Sequence, residues 1–248
     1  MTPLFIAGLV GSVLVTAFLS GIFGMAGGLI LMGILAAVLP VGAAMILHGV
    51  TQMASNGWRC WVWREHIQLD VLRGYLISAL SCVALFTAVH FTPDKAIVFI
   101  FLGLLPFIPY VLPPKLMPDV SKPLGPYVCG FLVTALQLTA GVSGAMLDVF
   151  YVRSPLTRHQ VVATKAFTQT IGHFLKLIYF GTLVDMGGDV FLPWWIYAVC
   201  IVTAMTGTTL AKGVLHRMDD KQFRRWSQWV LNGIGLVYLA KAATMLVR

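Results

Sequence analysis

Ser20-Gly21-Ile22-Phe23-Gly24-Met25-Ala26-Gly27-Gly28-Leu29-Ile30-Leu31 lies in the middle of an apolar run that covers about residues 4–38. A helix needs roughly 20 apolar residues to cross a bilayer, so this run is too long for one straight span. The small residues at 21–28 break it into two shorter helices joined by a glycine-rich turn. Broken backbone is tolerated inside a membrane only where protein or a water-filled cavity surrounds it. A second run of this kind, about 124–152, is interrupted by Ala140-Gly141-Val142-Ser143-Gly144-Ala145. Six further apolar segments, at about 42–63, 72–92, 95–112, 159–183, 190–212 and 225–247, each fit one crossing. The expected fold class is an all-α polytopic membrane protein.

Composition agrees, with 58% hydrophobic and 10% charged residues where a soluble chain carries about 25% charged. Twelve of the seventeen Lys and Arg fall into four clusters: Arg59/Arg64/Arg73, Lys115/Lys122, Arg153/Arg158 and Lys212/Arg217/Lys221/Arg224/Arg225. These flank apolar spans and form no continuous patch, so they read as topological anchors and not as a nucleic-acid surface. If each broken run is a hairpin returning to the side it entered from, all four clusters share one face, the cytoplasmic one. Asp94, Lys95, Asp185 and Asp189 then share the other, and both termini are outside. No basic region with a cleavage site precedes the first span, so no removable signal peptide is expected. Cys60, Cys82, Cys129 and Cys200 have no metal-like or paired spacing and read as free thiols.

Sliding the chain by 117 residues lays 8–63 on 125–180 without a gap. Identities are few: Gly8/Gly125, Leu19/Leu136, Gly24/Gly141, Gly27/Gly144, Leu39/Leu156, Thr51/Thr168 and Gln52/Gln169. Their placement carries the argument, because both copies set a Gly-x-x-Gly break before a half-helix and a Thr-Gln on the next helix. The expected organisation is a first repeat at 1–115, a cytoplasmic linker at 116–123 and a second repeat at 124–248. Each repeat is a Gly-broken hairpin plus three transmembrane helices, and the two are inverted about an axis in the membrane plane.

On the helix after each hairpin, His48, Gln52, Asn56 and Arg59 match Lys165, Gln169, His173 and Lys176 position for position. Steps of four, four and three make one stripe along a helix. A polar seam between helices would use the same residue types, but paired stripes beside two broken hairpins point to a pathway. Among the nine acids only Asp148 lies well inside an apolar segment, so the pathway is basic and favours an anion over a cation. The candidate binding residues are Gly24, Gly27, Gly28, His48, Gln52, Asn56, Gly141, Ser143, Gly144, Lys165, Gln169, His173 and Lys176. Glycine lets a ligand approach the backbone, and a half-helix N-terminus offers free N–H groups to an anion. Asp148 pairs with Lys165 or exchanges a proton, and His48 and His173 are competing proton carriers. No metal and no cofactor is expected. No Walker-type phosphate loop, HExxH or nucleophile elbow is present, which argues against ATP coupling and against an enzyme.

The run Ser20 to Leu31, the segment Val162-Ala163-Thr164-Lys165, and Gly207-Thr208-Thr209-Leu210 before Gln222-Phe223-Arg224 together resemble the TauE/SafE family of membrane permeases. The resemblance covers nearly the full length, with Ala26 standing where many members carry Gly. It implies a multi-pass protein of the bacterial inner membrane. The implied function is secondary transport of a small sulfur-bearing anion such as sulfite or an organosulfonate. Proton coupling and alternating access are the expected mechanism, and a passive small-anion channel is the alternative. The partners are the anion and the lipid bilayer, and a homo-oligomer is compatible with the apolar helix faces.

Overall fold

The computed structural model describes residues 2–23, 26–111, 113, 118–186, 191–215 and 220–246. Among these residues there is helix and no strand. The first half contains α1 (Pro3–Phe23), α2 (Ala26–Val38), α3 (Val41–Val62), α4 (Leu69–Ala88), α5 (Lys95–Leu104) and α6 (Ile108–Val111). The second contains α7 (Gly125–Ala140), α8 (Gly144–Tyr151), α9 (Arg158–Ile178), α10 (Trp194–Leu215) and α11 (Asp220–Leu246). Local chemistry sets several ends. The Asp94 carboxylate accepts from Ile97 N at 2.7 Å to start α5, and Thr157 and Gln160 form a reciprocal capping box at the start of α9.

Four helical stretches are long and apolar enough to cross a membrane: Pro3–Ile22, Leu69–Ala88, Trp194–Ala211 and Trp229–Leu246. α3 and α9, at 22 and 21 residues, have the length but carry the two polar stripes. Both apolar runs are broken at their glycines, and the arms are unequal. α1 has 21 residues and α2 13, while α7 has 16 and α8 only 8. The first arm is therefore not a half-helix, since 21 residues at 1.5 Å each reach about 32 Å. α8 stops at Tyr151 because Ser154-Pro155 follow, and the residue before proline is pushed out of the helical region. The segment expected as one helix at 95–112 also departs from a straight span. It passes through a tight 3-10 turn at Leu105–Phe107, where Pro106 has no N–H to continue the ladder.

Both broken runs double back. Gly27 packs so closely on α1 that a β-carbon there would collide with the Thr16 carbonyl and Ser20. Val120 N, just before α7, donates to Phe150 O near the end of α8 at 3.0 Å. The bundle pairs the halves crosswise. α3 runs antiparallel to α9, with Gly49 against Leu177, Gly57 against Thr170, and Trp63 stacked on His159 at 5.0 Å. α5 crosses α11 in the same sense, with Gly103 against Leu239 and Gly235 against Phe107. In contrast, α4 runs parallel to α7, and α10 to α1. Gly74 meets Pro126 and Tyr127 while Gly130 meets Tyr75 and Ser78; Gly207 meets Leu14 to Phe18 while Gly21 meets Thr208 and Ala211. Small residues at these crossings allow the close packing that lipid-embedded helices need.

The connections that carry three basic clusters meet at one end of the bundle. Gln68 N donates to Thr164 Oγ1 at 3.0 Å, and Asp119, at the start of the turn containing Lys122, lies one residue before Val120, which is bonded to Phe150 O. At the opposite end the Tyr179 hydroxyl donates to Phe86 O at 3.2 Å and to Phe91 O at 2.5 Å. Lys115, Arg217 and Asp189 lie outside the described residues.

Candidate functional site

A cavity of about 30 Å³ lies at the junction of the two breaks, room for on the order of two waters. α1 contributes Ser20, and α2 contributes Gly28. α3 contributes His48, Gln52, Asn56 and Arg59, and α9 contributes Gln169 and His173. The second break supplies Val142, Ser143 and Gly144. The antiparallel crossing of α3 and α9 turns the two sequence stripes toward each other, which is why residues separated by more than one hundred positions share one wall.

Among the described residues, no partner is hydrogen-bonded to the side-chain amides of Gln52, Asn56 or Gln169. Gln52 and Asn56 are nonetheless 7% and 4% exposed. Buried polar groups are normally paired, so these amides open onto the cavity as an unfilled set of donors and acceptors. Arg59 joins them with no carboxylate bound to it among the described residues, and no acidic side chain lines the cavity. The wall is thus polar and net positive.

Behind the wall, hydrogen bonds fix which nitrogens carry protons. Ser143 Oγ donates to Gln137 Oε1 at 2.7 Å. The Gln137 amide nitrogen therefore donates to His173 Nδ1, also at 2.7 Å, and the His173 ring proton sits on Nε2, where it is a donor. Lys176 Nζ lies 2.9 Å from His48 Nδ1 and donates to Gly141 O at 2.9 Å. With Nδ1 accepting, His48 carries its proton on Nε2 and donates to Gly28 O at 2.9 Å. Both His48 nitrogens are engaged, one accepting and one donating, so His48 is neutral and Lys176 is the donor toward it. The two imidazoles face each other with centroids 5.4 Å apart.

The expected residues divide accordingly. Gly28, His48, Gln52, Asn56, Ser143, Gly144, Gln169 and His173 line the cavity. Gly27 packs on α1, and Gly141 takes a left-handed φ of 77° as the cap of α7, its carbonyl bound to Lys176. Lys176 is fully buried one layer behind. Lys165 is in an ion pair with Asp148, with side chains 21% and 42% exposed, outside the lining but close enough to Arg59 to feel its charge. Gly24 lies outside the described residues. Ser20 and Gln137 lie outside the two polar stripes, yet the shift of 117 places one on the other. That equivalence is the sequence signal for both.

No group of three or more His, Cys, Asp or Glu among the described residues has a metal-binding arrangement. Residues 9–238 match the family described as Sulfite exporter TauE/SafE. No curated protein and no solved structure matches the chain.

Proposed function

We propose that this chain, which belongs to the TauE/SafE sulfite exporter family and is therefore a multi-pass membrane transporter and not an enzyme, carries sulfite or a small organosulfonate through the cavity between its two breaks. One observation carries the reading: among the described residues, three unpartnered amides and Arg59 surround an acid-free cavity in the middle of an apolar bundle. Such a ring suits an oxyanion, whose several acceptor oxygens take N–H donors from amides, a guanidinium and the His173 ring. Backbone N–H groups at the start of α8, beginning with Gly144, add the positive end of a helix at the same place. Arg59 supplies the charge facing the anion, and Lys165 adds a second cation once Asp148 gives way.

Alternating access between inverted repeats at 1–115 and 124–248, joined by 116–123, is the proposed mechanism. Its support is the helix pairing: the counterpart helices α3 and α9 cross antiparallel, and so do α5 and α11. The exchange of halves also carries the parallel pair α1–α10 onto α7–α4. The cavity is blind at His48 and Lys176, which favours a carrier over a passive anion channel. Residues 59–73 and 153–158 lie at one end, which the clustering of Arg there assigns to the cytoplasm, so both termini face the periplasm of a bacterial inner membrane. Proton coupling falls to the groups bordering the site that can exchange a proton, His173, His48 and Asp148.

The test is binding of sulfite, taurine, sulfate and chloride to detergent-purified protein by calorimetry. Saturable binding of sulfite or a sulfonate, weakened at least tenfold in Arg59→Gln, is the expected result. Equal, weak heats for all four anions would overturn the substrate assignment.

A further inference from the structure

Burial is graded in one direction along both stripes. On α3, His48 is 0% exposed, Gln52 and Asn56 are nearly buried, and Arg59 is half-buried. On the antiparallel α9, Lys176 is 0% and His173 4% exposed, while Gln169 and Lys165 are half-buried. The cavity is therefore stopped at the His48–Lys176 end and gives out toward Arg59 and Lys165. The stop is a continuous hydrogen-bonded chain from one break to the other, running from Gly28 O through His48 and Lys176 to Gly141 O in three steps of 2.9 Å.

The shift of 117 that superimposes the halves in sequence lays Lys176 on Arg59 and Lys165 on His48. Because α3 and α9 are antiparallel, these four residues form two equivalent pairs at opposite ends of the cavity. At the half-open end the long cation, Arg59, faces the cavity. At the closed end its counterpart, Lys176, is turned onto a neutral imidazole and a carbonyl. Lys176 spends N–H donors on these two acceptors, and neither carries a charge. Among the described residues no carboxylate pairs with Lys176, and an oxyanion reaching it would supply the missing partner.

We infer that Lys176 is a latent anion ligand, the counterpart of Arg59, and that His48 and Gly141 O latch it so as to close the cavity on the side away from the basic clusters. Opening that side releases Lys176 to the anion, so the ligand itself favours the opened state through its added contact. The inference rests on the anion-carrier reading and adds which cation serves which side.

Thiol accessibility tests it. Val142→Cys, made together with Cys60→Ser, places one reporter in the cavity wall, since Cys82, Cys129 and Cys200 are buried. Vesicles of each orientation are treated with an impermeant maleimide. With the latch intact, Cys at 142 reacts from the Arg59 side at least tenfold faster than from the other. Lys176→Met or His48→Gln brings reaction from the far side within threefold of the near side. Labelling that stays one-sided in both variants, while near-side reaction persists as the sign of an intact fold, overturns the latch. Should Lys176→Met lose near-side reaction, His48→Gln decides alone. In His48→Gln, which keeps the lysine, sulfoacetate, a sulfonate that unlike sulfite does not add to maleimides, slows far-side labelling, and Lys176→Met removes that protection; equal protection in both overturns the ligand role. Absence of sulfoacetate protection from either side in the parent reporter would instead count against the carrier reading.

Discussion

The Gln137 amide and His173 Nδ1 are 2.7 Å apart across α7 and α9, and Ser143, from the break itself, holds the far side of that amide at 2.7 Å. The break, the hairpin arm and the polar stripe are therefore one hydrogen-bonded unit that aims the His173 Nε2–H. Gln137→Leu removes the acceptor for Ser143 and the donor to His173, leaving two buried groups unpaired at about 1–3 kcal/mol each. The expected outcome is sulfite affinity lowered at least tenfold with a lower melting temperature. Ser143→Ala, which leaves Gln137 in place, should cost less on both measures.

The Lys165–Asp148 pair is half-exposed, so its contribution to stability falls near that of surface pairs, about 0–1 kcal/mol. Asp148→Asn is expected to leave the melting temperature within a few degrees of the parent. It frees Lys165 beside Arg59 and should tighten anion binding about threefold to tenfold. Lys165→Ala should weaken binding without abolishing it. Calorimetry on the two variants checks the opposite signs.

The two neighbouring glycines of the first break differ in a way that separates folding from binding. Gly27→Ala drives a methyl into the Thr16 carbonyl and Ser20 backbone, and should prevent the α1–α2 hairpin from closing, read as loss of monodisperse protein. At Gly28 the nearest atoms a β-carbon would meet belong to the Gln52 side chain, at 3.4 Å. Gly28→Ala should yield folded protein whose anion affinity falls because the Gln52 amide is crowded. Gly141→Ala combines a φ of 77° with contact against the Met32 and Met45 sulfurs, and should destabilise by about 1–3 kcal/mol.

Much of this arrangement is legible in the sequence because it is written in spacing. The stripes at His48, Gln52 and Asn56 and at Gln169 and His173 follow from helical periodicity, and the breaks follow from Gly27/Gly28 and Gly141/Gly144. Ser20 and Gln137 are harder to see: each sits on a mostly apolar helix among hydroxyl residues that only bond back to their own backbone, Ser12 and Thr16 on α1 and Thr139 on α7. Only the shift between the halves singles them out. The sequence leaves Asp148 either paired with Lys165 or exchanging a proton, because spacing does not say which way a long side chain turns. The unequal hairpin arms were hidden for a related reason. Hydrophobicity continues on both sides of Gly24, and nothing in it distinguishes a full-length α1 from a half-helix.

Arg59 separates charge from geometry. Arg59→Lys keeps the cation and loses the planar fork that binds two oxygens at once, so affinity should fall several-fold. Arg59→Gln removes both and should cost tenfold or more, about 1.4 kcal/mol. A titration of the three proteins under one buffer gives the ranking parent, Lys, Gln; a Gln variant equal to the parent would place the anion elsewhere.

The most direct test of the central reading is sulfite flux in proteoliposomes, compared with taurine, sulfoacetate, sulfate and chloride, with and without a pH gradient. Saturable flux of sulfite or a sulfonate that responds to the gradient and is lost in Arg59→Gln is the predicted result. Non-saturating chloride conduction, or sulfite flux unchanged by Arg59→Gln, would contradict it.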